Sequence, residues 1–481
     1  MAKNVYRVPE MGKGMVTNIS PLIVSEDAGL SSVLKNVDIS QFGFLRKRPG
    51  IAEVLGPTAG PITGACEFIK SSTEKVHKVV SHGTVVQAWN PDTTAWVNIV
   101  TGLTSGKKVE FLTFADSLLI VNGEDASVVW DGTSDSTPAA FPVASYLTDY
   151  RLRVAAAGDP AYPTMLHLSH TGDPTLWDPE DPASNAAKIF ISPDDGEHIT
   201  GIINAGEGGL FIGKRTSIYG LFGYARSNFT VDLIDPNVGV ASHRSLVYFR
   251  PHVYFVSELG IFRLQIGDSA ERISFPIQGE FDSRVNFSRI EESSAVVVNR
   301  TYVVTLPTGA TDFFTLAYNI DKGGWSEWTL PYVGSRMNVS DSATSKVYVV
   351  ESGSTQLKAV TPGLLSDFGA NSIDSEYISI WLHGGSPESD KDVTDIYVSC
   401  KQASVDYKIS VAVRGDTPGW EGWQELGEAT VSAGTGISVK RFPTQTHATT
   451  RFLEVRIKNE EINQDFMPMG MTFVAEVKEL T

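Results

Sequence analysis

The sequence predicts an all-β chain: a β-propeller of six or seven blades followed by a C-terminal β-sandwich. Three observations lead there. Amphipathic helical periodicity is almost absent, while short runs rich in Val, Ile, Tyr, Phe and Thr recur between Gly, Pro, Asn and Asp. A hairpin motif repeats along the middle of the chain. A Gly/Asn/Ser/Asp-rich linker after Thr361 then separates that repeat from strands of plain alternation. With 481 residues, 42% of them hydrophobic and 20% charged, the chain is long enough for two to four domains with sizeable cores.

Residues 1–59 read as an extended arm and a first strand. The first 50 residues hold 7 basic against 4 acidic groups, and little regular pattern precedes Leu34–Leu45. Such a segment is expected to leave its domain and pack on a neighbouring subunit or across the propeller. Arg46-Lys47-Arg48 is its one charge run, too short for a nucleic-acid patch. These three residues are the expected subunit interface, salt-bridged to an acidic neighbour.

Residues 60–370 carry the repeat. Residues 88–96 and 317–325 both fit Ala-[Trp/Tyr]-Asn-x-Asp-x3-Trp. The physical reading is a hairpin in which an aromatic ends one strand, Asn and Asp turn the chain on their own backbone, and Trp opens the return strand. Strand ends of the same character recur at Trp130, His167, Tyr219, Phe262 and Leu357. Spacings near 40–50 residues suit a four-stranded blade, which must stack on neighbours to bury both faces. Within this span Lys78–Val86, Phe111–Val121, Ser245–Val256 and Ala295–Leu306 read as single strand runs.

Residues 371–481 read as the sandwich. In Tyr407-Lys-Ile-Ser-Val-Ala-Val413 the odd positions are apolar, the mark of a sheet with one buried face. Trp420 and Trp423, in Gly419-Trp-Glu-Gly-Trp423, are candidates for an exposed aromatic sugar platform. The competing expectation for them is strand-end core.

Composition narrows the function. A net charge of −17 argues against a protein that grips phosphates, because such affinity comes from Lys and Arg displacing counterions. Cys66 and Cys400 stand alone, so neither a disulfide framework nor a zinc ribbon is expected. No apolar leader or membrane-spanning run is expected either. Gly208-Gly-Leu-Phe-Ile-Gly-Lys-Arg215 misses a phosphate loop, since Arg215 stands where Ser or Thr should hold magnesium and the stretch reads as a strand. His167 and His170, at i and i+3, fall on opposite faces of a strand and are not expected to share a metal. No catalytic, cofactor or metal site is expected, and the chain reads as a non-enzyme.

Four stretches then point to a family. Asn36-Val-Asp-Ile-Ser-Gln-Phe-Gly-Phe-Leu-Arg-Lys-Arg-Pro-Gly50 resembles the opening motif of the tail hub, or "stabilisation", proteins of short-tailed double-stranded DNA phages. Asp149-Tyr-Arg-Leu-Arg-Val-Ala-Ala-Ala157, Gly209–Gly223 and Tyr318-Asn-Ile-Asp-Lys-Gly-Gly-Trp-Ser-Glu-Trp328 are similar to the same proteins. The resemblance implies a virion protein, assembled in the host cytoplasm as a homo-oligomeric ring of about six copies. Such a ring sits below the portal or adaptor ring, extends and closes the DNA channel, and docks a tail needle or fibre. Double-stranded DNA would pass without specific binding, in keeping with the acidic charge. Two other classes compete: a receptor- or carbohydrate-binding propeller of a phage tail, and a propeller glycosidase or depolymerase. The second needs paired carboxylates across a cleft.

Overall fold

The computed structural model describes residues 3–18, 20, 29–40, 42–330, 347–351 and 353–478. It is all-β, with one short α-helix, Gln278–Arg284, among the described residues. Five short strands open the chain: β1 (Lys3–Val8), β2 (Ser31–Lys35), β3 (Val37–Ile39), β4 (Leu45–Lys47) and β5 (Gly50–Val54).

Six antiparallel four-stranded meanders follow, each made of strands consecutive in sequence. The first comprises β6 (Ile62–Lys70), β7 (Lys75–His82), β8 (Val85–Asn90) and β9 (Ala95–Thr101). The second has β10 (Glu110–Phe114), β11 (Ser117–Val121), β12 (Val128–Trp130) and β13 (Asp135–Ser136). The third has β14 (Tyr146–Tyr150), β15 (Arg153–Ala157), β16 (Met165–Leu168) and β17 (Ala187–Phe190). The fourth has β18 (Ile199–Asn204), β19 (Leu210–Lys214), β20 (Ile218–Phe222) and β21 (Thr230–Asp235). The fifth has β22 (Val247–Phe249), β23 (His252–Ser257), β24 (Gly260–Leu264) and β25 (Glu271–Arg272). The sixth has β26 (Ser294–Val298), β27 (Thr301–Thr308), β28 (Asp312–Asn319) and β29 (Trp325–Trp328). A seventh sheet contains β30 (Val347–Val349) and β31 (Leu357–Thr361), with β5 returning to pair antiparallel to β31, Ile51 opposite Val360.

The repeat read from sequence falls at one structural position. Trp89, Trp130, His167, Tyr219, Phe262 and Tyr318 all lie on the third strand of their meanders. The two matching hairpins turn alike. Asn90 Oδ1 accepts from the backbone N–H of Asp92 at 2.9 Å, and Asn319 Oδ1 from that of Asp321 at 3.1 Å. The aromatic pairs then meet across the hairpin, Trp89 on Trp96 at 5.2 Å and Tyr318 on Trp325 at 4.9 Å.

Alternation along each second strand shows how the sheets are held. Leu118 and Ile120 of β11 pack toward the first sheet, Leu119 and Val121 toward the third. On β23, Val253 and Phe255 face the fourth sheet, while Tyr254 and Val256 face the sixth. On β31, Val360 joins the sixth sheet's core, whereas Leu357 and Ala359 pack with Ile62, Ala65 and Val80 of the first. Strands clad on both faces are buried at every position, as Arg153-Val-Ala-Ala-Ala157 is, its one charged group donating to the carbonyls of Ser169 and Asn185. Fourth strands such as β9 are largely exposed.

Four runs read as single strands are hairpins. Phe111–Val121 turns at Ala115-Asp116 and Ala295–Leu306 at Asn299-Arg300, both with φ between 46° and 63°. Lys78–Val86 turns at Gly83, and Ser245–Val256 at Arg250-Pro251. Such two-residue turns ordinarily announce themselves through Asn-Gly or Gly at the left-handed positions. Here non-glycine residues occupy most of them, which hid the turns.

Two further sheets use both ends of the chain. β34 (Ser375–Ser379), β35 (Lys391–Lys401), β36 (Tyr407–Gly415), β37 (Gln424–Val431), β38 (Ile437–Thr450), β39 (Leu453–Asn459) and β40 (Pro468–Val477) supply most of them. One sheet runs β1-β40-β35-β38. The other runs β2-β34-β39-β36-β37 and continues through a parallel β2–β29 contact into the sixth meander, giving nine strands. Their shared core includes Ile396, Val398, Val411, Ile457 and Phe473.

Of the two packings expected for the arm, the strands of this segment take the one within their own chain. Residues 3–8 pair with β40, 31–35 with β34, and 50–54 with β31, so these strands pack within their own chain. Burial explains it: Leu34, Val37, Leu45 and Ile51 are wholly enclosed, and leaving them outside would expose each to water.

Candidate functional site

The stretch that carries the family resemblance forms a joint between the meanders and the C-terminal sheets. β3 and β4 form a hairpin whose flanks hold Asn36 and Arg48 side by side. Arg48, 1% exposed, donates to both carboxylate oxygens of Asp367, Nη1 to Oδ1 at 3.0 Å and Nη2 to Oδ2 at 2.6 Å. Its Nε donates to Asn36 Oδ1 at 3.0 Å, and its remaining donors reach the carbonyls of Pro49 and Thr329. Asn36 in turn donates to Thr329 Oγ1 and to the carbonyl of Asp374. A planar fork with several donors suits this bidentate, buried role.

Lys47 points to the other side. Its ammonium, 2% exposed as a residue, donates to Asn459 Oδ1 at 2.6 Å and to the Glu461 carbonyl at 3.1 Å. Burial pushes its pKa down to about 8, against the pull of Asp465 and Asp374. Lys47 and Arg48 are therefore internal, and the expected subunit interface at these two positions is corrected by their own chain's oxygen atoms. Arg46 remains half exposed, 3.5 Å from Asp465. Asp38, on the same hairpin, accepts from Thr301 Oγ1 at 3.2 Å, and burial raises its pKa to about 6.

A cavity of about 810 Å³ is walled by the first strands of the sheets, β6, β10, β14, β18, β22 and β26, with Val347 of β30. Its walls mix apolar groups such as Phe111, Val247 and Val296 with Glu67, Glu110 and Asp149. The first two carboxylates already have partners: Glu67 pairs with Lys78 and Glu110 with Arg244. Asp149 accepts from Asn204 Nδ2 at 2.8 Å.

The remaining candidates are placed apart. Trp420 packs half-buried against the C-terminal core. Trp423 has the guanidinium groups of Arg414 and Arg456 at 4.8 and 4.6 Å from its ring centre, so its π face already holds cations. His167 is buried on β16, 3.6 Å from Asp159, and burial lowers its pKa to about 4. His170 instead accepts from the Asn185 backbone through Nδ1. Lys214 of the phosphate-loop-like stretch sits on β19, fully buried, and donates to Asp195 and to the Ser192 carbonyl. Among the described residues no three His, Cys, Asp or Glu side chains are grouped to hold a metal, and no helix is long and apolar enough to cross a membrane.

Sequence reasoning located the basic run but not its partners. Asn36, Thr329 and Asp367 come from segments up to 331 positions apart, and no local signal ties them together. Arg244, in Ser-His-Arg-Ser245, carried no signal at all.

No family model matches the sequence, and no curated relative does. Among solved structures the chain is similar to the AfRom2 CNH domain, at 10% identity and a TM-score of 0.39, over 65% of this chain and 98% of that one.

Proposed function

We propose that the chain is a structural virion protein, the tail hub or nozzle subunit of a short-tailed double-stranded DNA phage. In this reading the seven sheets form a seven-bladed β-propeller, closed by β5 on β31, and the C-terminal sheets form a β-sandwich. About six copies make a ring below the portal or adaptor, and the ring docks a needle or fibre at its far end. The observation that carries the reading is the role of Asn36–Gly50. The residues that resemble the family's opening motif tie the two parts of the subunit together: Asn36 bonds both Thr329 and the Asp374 carbonyl, Lys47 bonds Asn459 of β39, and β2, just before them, makes the nine-stranded sheet continuous. A ring subunit that bears load between portal and tail tip needs such a rigid joint. The net charge of −17 further favours a conduit along which DNA slides.

Co-expression with the cognate portal tests this. The expected product is a ring whose mass is six times the 52.1 kDa subunit, seen by mass photometry and as a closed ring in electron micrographs. A chain that stays monomeric at all concentrations, with and without portal, would overturn it. Hydrolysis of host polysaccharide by the purified chain would favour the depolymerase reading instead.

A further inference from the structure

The cavity has two unlike ends. At one lie Ile69, Thr113, Asp149, Asn204 and Val297, each in the last two residues of a first strand, and the side chains of Thr113 and Asp149 are exposed. At the other, where those strands begin, Glu110 lines the cavity and holds Arg244. Arg244 stands just before β22 of the fifth sheet, yet its guanidinium reaches the first and second. Nε donates to Glu110 of β10, Nη2 to the carbonyl of Val109 at 3.0 Å, and Nη1 to the carbonyl of Thr63 on β6 at 3.3 Å. In the order of packing, the fifth sheet is three steps from the first and three from the second. Neither the first nor the second sheet shares a core with the fifth, so the contacts of Arg244 link sheets that do not pack on one another. Beside it the ring of Tyr146 of the third sheet meets that of His243, tilted, at 4.6 Å.

We propose that Arg244, bolted to Glu110, closes this end, so that the cavity is a one-mouthed pocket and not a channel through the subunit. The inference goes beyond the tail reading and stands on the contacts of Arg244. If it holds, nothing threads an individual subunit, and any DNA path runs between copies.

Cys66 lines the cavity and serves as a native reporter, while Cys400 is buried among the C-terminal strands. The probe is N-ethylmaleimide, and the modified cysteine is identified by peptide mass. Thr113→Trp with Asp149→Trp obstructs the mouth from two neighbouring sheets. With Arg244 in place, the Cys66 labelling rate is expected to fall at least tenfold in this background. Adding Arg244→Ala together with Glu110→Gln, which leaves no lone carboxylate behind, is expected to restore the rate to within threefold of wild type. Circular dichroism checks that each variant folds. Should the double change not fold, Arg244→Lys in the same background keeps the charge but loses the fork, and is expected to raise the rate at least threefold. A mouth-obstructed protein that labels at the wild-type rate would overturn the proposal. So would opening variants that fold and leave the rate low.

Discussion

Replacing Arg48 with Ala removes five hydrogen bonds from a side chain that is 1% exposed. Asp367, 13% exposed at its side chain, would keep one partner, the backbone N–H of Ile51 at 3.1 Å. Removing one member of a buried pair leaves an uncompensated charge and costs about 3–5 kcal/mol. Unfolding entropy near 2.1 cal/mol/K per residue gives about 1 kcal/mol/K over 481 residues, so a chain melting as one unit should lose about 4 °C. Arg46→Ala is the control: its half-exposed pair with Asp465 is worth about 0–1 kcal/mol. Pairing Arg48→Ala with Asp367→Ala removes the stranded carboxylate as well, and the double variant should cost at least about 1 kcal/mol less than the singles added together. Urea denaturation followed by tryptophan fluorescence measures wild type and the four variants, Asp367→Ala alone included. An Arg48→Ala chain within about 1 kcal/mol of wild type, or strict additivity with Asp367→Ala, would refute the account of the joint.

Three further outcomes are expected. Leu152, 74% exposed at φ 61° in the Arg151-Leu152 hairpin turn, suits Asn better than Leu, and Leu152→Asn should stabilise by about 0.5–1 kcal/mol, read as a higher urea midpoint at constant m-value. His167 is held neutral down to about pH 4 by burial, whereas the unfolded chain takes up its proton near 6.5. Stability from this group is full above pH 6.5 and falls as pH drops toward 4, by up to about 3 kcal/mol. His167→Gln should flatten that slope in denaturation curves taken across the window. Asp38 has the opposite sign: raised to about 6 by burial, it costs stability as pH rises from about 4 to 6, so Asp38→Asn should gain up to about 3 kcal/mol over wild type at pH 7. Because the two slopes oppose each other, the informative quantity in either case is variant minus wild type.

What the amino-acid order determined by itself is what neighbours in sequence can decide. The turn chemistry of Asn90 and Asn319 acts over three residues, so the hairpin motif, its aromatic flanks and the meander spacing were legible before any fold was known. The alternation in Tyr407–Val413 likewise marked a strand whose one face is buried more deeply. Turns at Ala115-Asp116 and Asn299-Arg300 were not legible, because non-glycine residues accept the left-handed backbone only where the sheets on either side hold it. The burial of Lys47 and Arg48 was not legible for a related reason. Charge in a short window shows only that a partner is needed, and the partners of Arg48 and Lys47 lie hundreds of positions away, at Asp367 and Asn459. Whether such a cation faces a neighbour, water or its own core depends on which strands pair, and β1, β2 and β5 pair with strands from the far end of the chain. Those pairings are won by long-range burial of Leu34, Val37 and Ile51, an energy that exists only once the sheets are assembled.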